Sequence, residues 1–561
     1  MAKLHSIRIK NFRGFSDFSY KFAGTKFITL IGRGDSDKTT ILDAISLVLS
    51  PSWTVSLCDT DFHNCNVDTP IEITATVYDL PKELLRESKY GLHLEAINSE
   101  TYDIIPRDNI DDLAEAISGL TIRLIVDNAL EPMWYVVNPV DNALINISAS
   151  DRSRLNVFMI ADSIDRHFSF SKGSPLFSLV RQAQGEYQNN TSLFLEALRT
   201  AQQSMDNTTL VELGDAKDLI TQKASCMGVN LDALTTNFDF RDVVIKDGRI
   251  SLHNNNIPLR LKGKGTKRLI SAAIQLSLVN DQGIILIDEL EQGLEPDRVQ
   301  AFVRDLRTHH DAQIFITTHS RDAVVELNAD EIYRTLPSGT GLYRFNEEHQ
   351  GTIRTNPEAL FARKVIVCEG ATEVGIIRAL DKYLTDNYSK GLSYYGVRYA
   401  DGKGTQFVKY CNSFLDAGYS VCVFCDNDDS GVNKSKKFLK ARGAEIIDCE
   451  ESYCIEQQLF AELPWEAVQS MVEYAKENNY DRVIKNLQYI DNGFDEEQLT
   501  NDTPENRSLL GEASIVEGKA WYKTVTHGEM IGEILMLHYN PTQRDSHIYN
   551  EIYRLIEWIS R

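Results

Sequence analysis

Four carboxylates occur at two places in the sequence where they could hold divalent metal ions. Glu369 and Glu373 lie in EGATE, directly after the apolar run KVIVC, and Asp426 and Asp428 lie in DNDD, after the apolar run SVCVFC. Carboxylate oxygens are ligands that Mg²⁺ and Mn²⁺ prefer. Because like charges repel at close range, such a cluster is hard to justify without bound cations. The spacing therefore predicts a site for one or two Mg²⁺ or Mn²⁺ ions, which could act together on a phosphodiester.

A second group of residues, IGRGDSDKTTIL at 31–42, has the pattern of a phosphate-binding loop with one substitution. Lys38 would neutralise the β- and γ-phosphates of ATP, and the hydroxyl of Thr39 would bind Mg²⁺. Asp37 stands where the pattern G-x-x-x-x-G-K-[ST] has glycine. A carboxylate about 5 Å from a phosphate charge would repel it by roughly 3 kcal/mol at an effective dielectric of about 20. We therefore expect weakened ATP binding or slow hydrolysis. The further loop residues that would line the phosphates are Gly32, Gly34 and Thr40.

Two later apolar runs end in residues that could complete an ATPase site. GIILIDELEQGLEPDR carries Asp288 and Glu289 at the end of its apolar run, and AQIFITTHS carries His319. Asp288 would hold Mg²⁺ through water, Glu289 would polarise the attacking water, and His319 would contact the γ-phosphate. A buried strand with a polar end explains any one of these pieces, but not all three in this order.

The elements around these residues alternate between strands and helices. Strands are predicted over LHSIRIKNF, KFITLIG, 71–79 and 119–137, and a helix is predicted over KTTILDAISLVL. A strand that enters a glycine loop and continues as a helix is the context that a phosphate loop requires. Because strand ends in an α/β sheet share one edge, the four carboxylates are expected to converge.

Four segments follow from these patterns. They are an ATPase N-terminal part over 1–154, a helical insertion over 155–235, an ATPase C-terminal part over 236–355, and an α/β domain with a helical tail over 360–561.

A basic helix start precedes the acidic motif. In LKGKGTKRLIS, Gly263 and Gly265 precede a long apolar helix, and a helix N-terminus suits a phosphate. The segment resembles the signature motif of structural-maintenance and recombination-repair ATPases, which caps the ATP bound to the other subunit. This resemblance implies that Gly265 and Lys267 contact the nucleotide. A capped surface helix with solvated lysines is the alternative.

The motifs taken together resemble one family. IRIKNFRGF, the loop, GKGTKRLIS, LIDELEQGLEP and FITTHS look like the ABC-type ATPase half of the OLD (overcoming lysogenization defect) nucleases. E-G-x-x-E followed by D-x-D resembles the Toprim domain of topoisomerases, primases and OLD nucleases, and an ATPase before Toprim is the OLD arrangement. The resemblance implies an α/β chain: an ABC-type P-loop ATPase with a helical dimerisation insertion, then a Toprim domain with a helical C-terminal part.

The resemblance also assigns roles to residues that spacing alone does not single out. It implies that Arg13 contacts the nucleotide and that Glu456, in SYCIEQQLF, is a further metal ligand. It places a lysine near the end of the domain, where it stabilises charge at the cleaved phosphate. Lys523 is the first choice for this lysine and Lys519 the second.

The function implied is an ATP-regulated, metal-dependent DNA endonuclease in bacterial anti-phage defence, similar to the nuclease of Gabija systems or of some retrons. Its partners would be DNA, a second copy of the chain in a dimer or higher oligomer, and a co-encoded helicase or retron reverse transcriptase with its DNA. Two alternatives remain open. One is a nucleotide-gated DNA-binding or sensing protein with an inactive Toprim site, and the other is a Toprim enzyme that acts on RNA or joins strands.

Composition narrows the class of protein. The net charge of −23 argues against coating DNA by bulk electrostatics, although a DNA substrate remains possible. No stretch approaches eighteen consecutive apolar residues, and the N-terminus lacks a signal-peptide pattern, so a cytoplasmic protein without a membrane segment is expected. The pair Cys422 and Cys425 lies inside an apolar run and is expected to be a buried part of a strand.

Overall fold

The structure is a computed structural model. It describes residues 2–34, 36–52, 55–106, 116–160, 165–168, 252–254, 257–279, 283–309, 311–337, 341–543 and 545–561, with the single residues 175, 179 and 200. The chain forms two compact units: one comprises Met1–Met159, Gly283–Glu291 and Glu295–Arg561, and the other comprises Ile160–Gln282 and Gln292–Leu294. Across the described ranges, no helix is both long and apolar enough to cross a membrane.

The N-terminal part contains three described sheets and six described α-helices. The strands are β1 (Lys3–Phe12), β2 (Phe15–Lys21), β3 (Phe27–Ile31), β4 (Ile71–Tyr78), β5 (Leu94–Ile97), β6 (Ile104–Ile105), β7 (Ile117–Val126), β8 (Pro132–Val137), β9 (Leu144–Asn146), β10 (Val157–Ile160), β11 (His253–Asn254), β12 (Ile257–Pro258), β13 (Ile284–Ile287), β14 (Gln313–Thr317), β15 (Ile332–Thr335) and β16 (Leu342–Arg344). The helices are α1 (Lys38–Val48), α2 (Ala149–Ser153), α3 (Lys264–Val279), α4 (Pro296–His309), α5 (Arg321–Val324) and α6 (Gln350–Thr355).

Of the two larger sheets, one is antiparallel and the other is mainly parallel, while β11 and β12 form a separate two-stranded antiparallel sheet. The antiparallel sheet has the order β2–β1–β4–β7–β5–β6, with β8 beside β7 and β9 beside β8. The second sheet has the order β10–β13–β14–β3–β15–β16, in which β13, β14, β3 and β15 run parallel. Every residue of β3, β13 and β14 is buried, as expected for parallel strands that are covered on both faces. This burial fixes the strand ends that carry the nucleotide motifs.

The C-terminal part is built on a four-stranded parallel sheet with the order β18–β17–β19–β20. Its strands are β17 (Lys364–Cys368), β18 (Val397–Asp401), β19 (Ser420–Cys425) and β20 (Glu445–Asp448). Its helices are α7 (Ala371–Tyr388), α8 (Phe407–Asp416), α9 (Ser430–Ala441), α10 (Ile455–Glu462), α11 (Trp465–Ile490), α12 (Pro504–Ser514), α13 (Val525–His538) and α14 (His547–Ser560). One continuous hydrophobic core joins the sheet to α7 and to α10–α14.

Helices α7 and α13 pack closely because each has a glycine where it contacts the other. A Cβ on Gly375 would lie 2.3 Å from the backbone nitrogen of Glu529, and a Cβ on Gly528 would lie 2.4 Å from the carbonyl oxygen of Thr372. Neither position has room for a side chain. This close approach brings the segment before α13, which contains Lys523, to the N-terminal turn of α7.

The predicted strands and helices near the motifs are present, with one difference. Strands β1, β3, β4, β7 and β8 and helix α1 lie where the sequence predicts them. The helical pattern that is predicted to begin at 155 is wrong at its start, because Val157–Ile160 forms strand β10 at the edge of the mainly parallel sheet. Most of the predicted insertion over 155–235 lies outside the described residues.

Candidate functional site

The phosphate loop joins β3 to α1, and Lys38 is the first residue of that helix. The Lys38 Nζ donates to the carbonyl oxygens of Gly32 at 3.2 Å and Arg33 at 2.9 Å, and to the Ser36 Oγ at 3.1 Å. Gly32 has no room for a side chain, since a Cβ there would lie 2.4 Å from the Thr335 Oγ1. The loop thus has its lysine folded over its own carbonyls, where phosphate oxygens would compete for the same ammonium.

The substituted position of the loop is accommodated without glycine. Asp37 has φ 57° and ψ 20°, the left-handed conformation that aspartate tolerates better than most residues. Its carboxylate accepts a hydrogen bond from the Thr40 hydroxyl at 3.2 Å. The same carboxylate lies against Gly14, where a Cβ would be 2.1 Å from the Asp37 Oδ1. Gly14 therefore provides the space for the side chain of Asp37.

Parallel strands bring the acidic motif to the loop. The Thr39 hydroxyl donates to Asp288 Oδ1 at 3.0 Å, and the Thr317 hydroxyl donates to the same oxygen at 2.6 Å. Thr317 also accepts a hydrogen bond from the backbone nitrogen of Glu289 at 2.7 Å. Thr39, Asp288 and Glu289 are thus brought together as the sequence predicts. Thr317, at the end of β14, is a connecting residue that the sequence analysis did not single out.

His319 follows β14 and is held by an acidic residue that was not predicted. Its backbone nitrogen donates to the Glu291 Oε1 at 2.6 Å, and the Thr318 hydroxyl donates to the Glu291 Oε2 at 2.7 Å. Burial lowers the pKa of His319, and the charge of Lys38 lowers it further. The imidazole is therefore neutral at pH 7 and can donate a hydrogen bond from one ring nitrogen. The third acidic residue of DELE was the available signal for Glu291.

Arg13 is engaged by two carboxylates of the ATPase part. Its Nε donates to Asp61 Oδ1 at 2.9 Å, and its Nη1 donates to Asp43 Oδ2 at 2.5 Å. Burial raises the pKa of Asp43, an effect that Arg13 opposes. A nucleotide contact by Arg13 would compete with this pairing.

The predicted signature residues lie in the second compact unit. Helix α3 begins at Lys264, so Gly263 precedes the helix as predicted, whereas Gly265 is its second residue. Gly265 packs against Gly293, whose carbonyl oxygen would lie 2.2 Å from a Cβ on Gly265. The backbone nitrogen of Lys267 donates to the Gly263 carbonyl at 3.1 Å.

The C-terminal sheet brings its carboxylates to one edge. Glu369 follows β17 and Asp426 follows the neighbouring parallel strand β19. The backbone nitrogen of Asp426 donates to the Glu369 Oε2 at 3.1 Å, and the Asp426 Oδ1 accepts from the backbone nitrogen of Ile455 at 2.8 Å. Ile455 begins α10, whose next residue is Glu456. The strand ends and this helix start therefore position three carboxylates together.

Glu373 and Glu456 complete the group from two helices. The Glu373 side chain accepts a hydrogen bond from the backbone nitrogen of Gly370 at 2.8 Å, at the start of α7. Glu456 is 1% exposed, and its Oε1 accepts from the Thr372 hydroxyl at 3.2 Å. Lys523 Nζ lies 3.3 Å from the same oxygen. The other oxygen of Glu456 is buried and has no hydrogen-bond partner.

The electrostatics of this group favour a bound cation. Burial raises the pKa of Glu373 to about 7, with the charge of Glu456 as the next cause. Burial also raises the pKa of Asp426, and Glu373 and Glu456 raise it further. Burial and the charge of Asp428 raise the pKa of Glu369. An all-oxygen donor set with an unpartnered buried oxygen fits Mg²⁺ or Mn²⁺. Among the described residues, however, no three His, Cys, Asp or Glu side chains are already arranged as a metal-binding group.

The remaining predicted residues differ in how close they come to the group. The Lys523 side chain is about half exposed; partial burial acts to lower its pKa, but Glu456 and Asp426 raise it above the usual value. Asp428 is exposed, and within the described part of the chain its side chain makes no hydrogen bond to the other carboxylates. Lys519 is also exposed. Of the two candidate lysines, Lys523 is the one that the structure brings to the carboxylates.

A buried lysine supports the turn between Asp426 and Asp428. Lys436 is 6% exposed, and its Nζ donates to the Asp426 carbonyl oxygen. The same ammonium donates to the Asn427 Oδ1 at 3.3 Å and lies 3.2 Å from the Asp448 Oδ2. Lys436 was not predicted, because it lies in the lysine-rich stretch NKSKKFLK, where only packing distinguishes one lysine from the next.

The fold and the two sites define a P-loop ATPase followed by a Toprim domain, and comparison with known families agrees. Residues 2–324 match the family model described as AAA ATPase domain. Residues 360–428 match the model described as overcoming lysogenization defect protein-like, TOPRIM domain. The first model covers more than half of the chain, so the chain belongs to the AAA ATPase domain family and carries an OLD-like Toprim domain behind it. These domains support a nuclease-type function together with nucleotide hydrolysis, and such domains generally use ATP and Mg²⁺.

The solved structures that match this chain are distant from it in sequence. An Smc head domain from Pyrococcus furiosus, with an extended coiled coil and bound to the C-terminal domain of ScpA, is 15% identical, with a TM-score of 0.36 over 63% of this chain and 98% of that chain. An SMC head domain from Thermotoga maritima is 12% identical, with a TM-score of 0.29 over 61% and 99%. The recombination mediator RecF with ATP is 11% identical, with a TM-score of 0.31 over 61% and 99%. No curated protein matches the chain.

Proposed function

We propose that the protein is an ATP-regulated, divalent-metal-dependent DNA endonuclease. The observation that carries this proposal is the convergence of Glu369, Glu373, Asp426 and Glu456 with Lys523 at one edge of the Toprim sheet. Four acidic side chains beside the Lys523 ammonium leave an excess of negative charge, which divalent cations would offset. The endonuclease acts by the two-metal route that the sequence analysis predicts.

The residues that would hold the ions are Glu369, Glu373, Asp426, Asp428 and Glu456. When bound, such ions activate water and stabilise the leaving oxygen of a phosphodiester. Lys523 keeps its proton, because the carboxylates raise its pKa. Its ammonium is therefore available to bind the phosphate and stabilise charge at the cleaved bond. Lys436 keeps the turn after β19 in place and acts only as a positioning residue.

ATP acts on this enzyme more as a regulatory ligand than as fuel. Lys38 and the loop backbone bind the phosphates, Thr39 and Asp288 hold Mg²⁺, and Glu289 orients the attacking water. His319, with its lowered pKa, contacts the γ-phosphate as a neutral donor. Asp37 slows hydrolysis by placing a negative charge in the loop. Gly265 and Lys267 cap the ATP of a second copy in a homodimer.

The enzyme works in the bacterial cytoplasm in defence against phage, with DNA as its substrate and a homodimer or higher oligomer as its assembly. A co-encoded helicase, or a retron reverse transcriptase with its DNA, is the proposed partner. The insertion over 155–235 is the proposed dimerisation arm, between ATPase parts at 1–154 and 236–355 and the Toprim part at 360–561.

Plasmid cleavage tests the proposal directly. Purified protein is incubated with supercoiled plasmid and Mg²⁺ or Mn²⁺, with and without ATP, and compared with Asp426→Ala and with Lys38→Ala. We expect Asp426→Ala to abolish cleavage, and Lys38→Ala to remove only the response to ATP. Equal cutting by the unaltered protein and Asp426→Ala would show that the Toprim carboxylates are not the catalytic site.

A second candidate is a nucleotide-gated DNA-binding or sensing protein with an inactive Toprim site. The observation that favours it is that the described carboxylates do not form a ready group of three metal ligands. Binding of plasmid DNA that depends on ATP, without cleavage under any of these metal conditions, would support this candidate.

A further inference from the structure

A basic cavity lies between the phosphate loop, whose Arg33 and Gly34 line it, and the Toprim domain, away from the carboxylate site. Its volume is about 430 Å³, which is within the range of small-ligand sites. It lies at the amino end of β17, where Lys364 begins the strand, whereas the carboxylates lie at the carboxyl end. Its described lining residues are Arg33, Gly34, Arg363, Lys364, Tyr394, Tyr395, Ile559, Ser560 and Arg561.

The charge of this cavity is unusual for the chain. The whole protein carries a net charge of −23, yet four of the described lining residues have cationic side chains and none has an acidic side chain. Lys364 is compensated, since its Nζ donates to the carbonyls of Trp558 at 3.0 Å and Ile559 at 3.2 Å, in the last turn of α14. Arg561 pairs with Glu557 at 3.1 Å. The uncompensated charge therefore comes from the two remaining arginines.

Arg33 and Arg363 converge on one glycine. A Cβ on Gly396 would lie 1.7 Å from the Arg33 Nη1 and 3.5 Å from the Arg363 Cδ. The Arg33 side chain has one further contact, a 3.5 Å hydrogen bond to the Ser393 carbonyl. Within the described ranges, neither guanidinium pairs with a carboxylate. Two arginines that line one cavity without a carboxylate partner are suited to an anion with several oxygens, because a guanidinium binds phosphate through paired N–H groups.

Aromatic side chains form another wall of the cavity. The Tyr394 and Tyr395 rings are 5.0 Å apart and nearly perpendicular, and Tyr394 is 62% exposed. Lys390 lies over the Tyr394 ring at 4.9 Å and adds a positive charge at the rim. Exposed aromatic side chains beside cationic groups can stack with a nucleotide base while the cations bind its phosphate.

We propose that this cavity is a second phosphate-binding site, which takes a small phosphorylated ligand of at most mononucleotide size. Its phosphate is held by Arg33 and Arg363, and the tyrosines enclose the rest. The site adjoins the ATP loop, because the Arg33 carbonyl also accepts from Lys38. It adjoins the Toprim domain through the turn that leads into β18, after which the backbone nitrogen of Gly402 donates to the Cys368 carbonyl at 2.8 Å. A ligand there contacts the nucleotide loop and the nuclease domain together.

Binding to the full-length protein tests this site independently of nuclease activity. Lys38→Ala serves as the background, because it removes the main phosphate contact of the ATP loop. Inorganic pyrophosphate and AMP are titrated calorimetrically into this background and into two double variants, with Arg363→Gln or Arg298→Gln added. Arg298 is exposed on α4 and pairs with Glu295, outside the cavity. We expect one site per chain, weakened at least tenfold by Arg363→Gln and unchanged by Arg298→Gln.

The two probes and a DNA arm separate the sources of phosphate. Tighter binding of AMP than of pyrophosphate identifies a nucleoside ligand, and the reverse order identifies a simple polyphosphate. If neither probe binds, or if Arg363→Gln leaves binding unchanged, the proposal is wrong. It is also wrong if only a single DNA strand of about 20 nucleotides binds through Arg363. If Arg363→Gln does not fold, phenylglyoxal labelling of Arg363 in the unaltered protein replaces it, and we expect pyrophosphate to slow that labelling.

Discussion

At the scale of single residues, Asp37 shapes the phosphate loop and Lys436 shapes the turn at the carboxylate site. Asp37 takes the left-handed backbone that a glycine would otherwise supply, and its carboxylate lies against Gly14. Lys436 is buried beneath the turn that carries Asp426 and Asp428. Neither side chain is a conventional motif residue. Each has an effect that can be measured by substitution.

Asp37→Gly is expected to improve the nucleotide site. The substitution removes a negative charge from the loop and keeps a residue suited to φ 57°. We expect ATP affinity or turnover to rise about tenfold, which corresponds to about 1.4 kcal/mol. Calorimetric titration and steady-state hydrolysis measure the two quantities. Rapid turnover by the unaltered protein would contradict the view that Asp37 limits the ATPase.

Gly14→Ala is expected to be harmful only while Asp37 is present. The new Cβ would lie 2.1 Å from the Asp37 Oδ1, so the carboxylate must move toward the loop. Overpacking of this kind costs about 1–3 kcal/mol. The double variant with Asp37→Gly removes the clash and should recover the melting temperature. Additive effects of the two substitutions would rule out the direct contact.

Lys436→Met is expected to lower nuclease activity without unfolding the domain. The substitution removes the donor to the Asp426 carbonyl, so the turn after β19 loses a charge-assisted hydrogen bond of roughly 1.5–3 kcal/mol. We expect plasmid cleavage to fall at least tenfold, while ATP binding is unchanged. Lys437→Met, at the neighbouring exposed position of α9, is the matched control. Equal loss of activity in both variants would point to helix α9 and not to the turn.

At the scale of elements, the sequence predicted those whose pattern is local. KFITLIG, KTTILDAISLVL, KVIVCEG and YSVCVFCD became β3, α1, β17 and β19, because burial on both faces and glycine loops leave clear local patterns. Cys422 and Cys425 are buried in β19, as predicted. The strand β10 was missed because its four residues, VFMI, carry too little pattern to separate a short strand from a helix.

The candidate site was predictable only in part. Glu369, Glu373 and Asp426 could be placed from strand ends, whereas Glu456 and Lys523 came from family resemblance alone. Their contact depends on α7 and α13 packing closely through glycines far apart in the sequence, which no local pattern records. Lys436 and Glu291 could not be singled out, because each stands among similar side chains and only tertiary structure decides which of them is buried or points inward. Such long-range packing is set by tertiary structure.

Gly528→Ala tests the packing of α7 against α13. The new Cβ would lie 2.4 Å from the Thr372 carbonyl, so the helices must separate and carry Lys523 away from Glu456. We expect a loss of about 1–3 kcal/mol in the free energy of unfolding and a fall in cleavage of at least tenfold. Gly351→Ala, in α6 with open space around it, should be neutral or slightly stabilising. Unchanged cleavage in Gly528→Ala would show that cleavage does not depend on the position of Lys523.

At the scale of the whole molecule, the carboxylate cluster makes stability depend on pH and metal. Glu373 has a folded pKa of about 7 against a usual value of 4.5. The folded state therefore binds more protons than the unfolded state between these values. Without metal, the free energy of unfolding should fall as the pH rises through this window, by on the order of 1–3 kcal/mol. Divalent cations should reverse the loss, because they replace the protons.

Thermal melts at about pH 6 and about pH 8, with and without Mg²⁺ or Mn²⁺, measure this effect. We expect the metal to raise the melting temperature more at the higher pH. Glu373→Gln should flatten the dependence on pH, whereas Glu466→Gln, at an exposed position of α11, should not. A metal effect that is the same at both pH values would show that the ions bind elsewhere.

The contact between Lys523 and Glu456 also determines how far the nuclease domain can be treated as a portable module. The family match to the Toprim domain ends at residue 428. Glu456 lies 28 residues further along the chain, in α10, and Lys523 lies in the segment before α13. A fragment cut at the end of the family match would keep two of the acidic strand ends and lose the lysine and a buried glutamate. An active fragment of this domain must therefore keep the whole helical tail. Homologues with divergent tails should be compared by the position of that lysine before they are grouped as active or inactive enzymes.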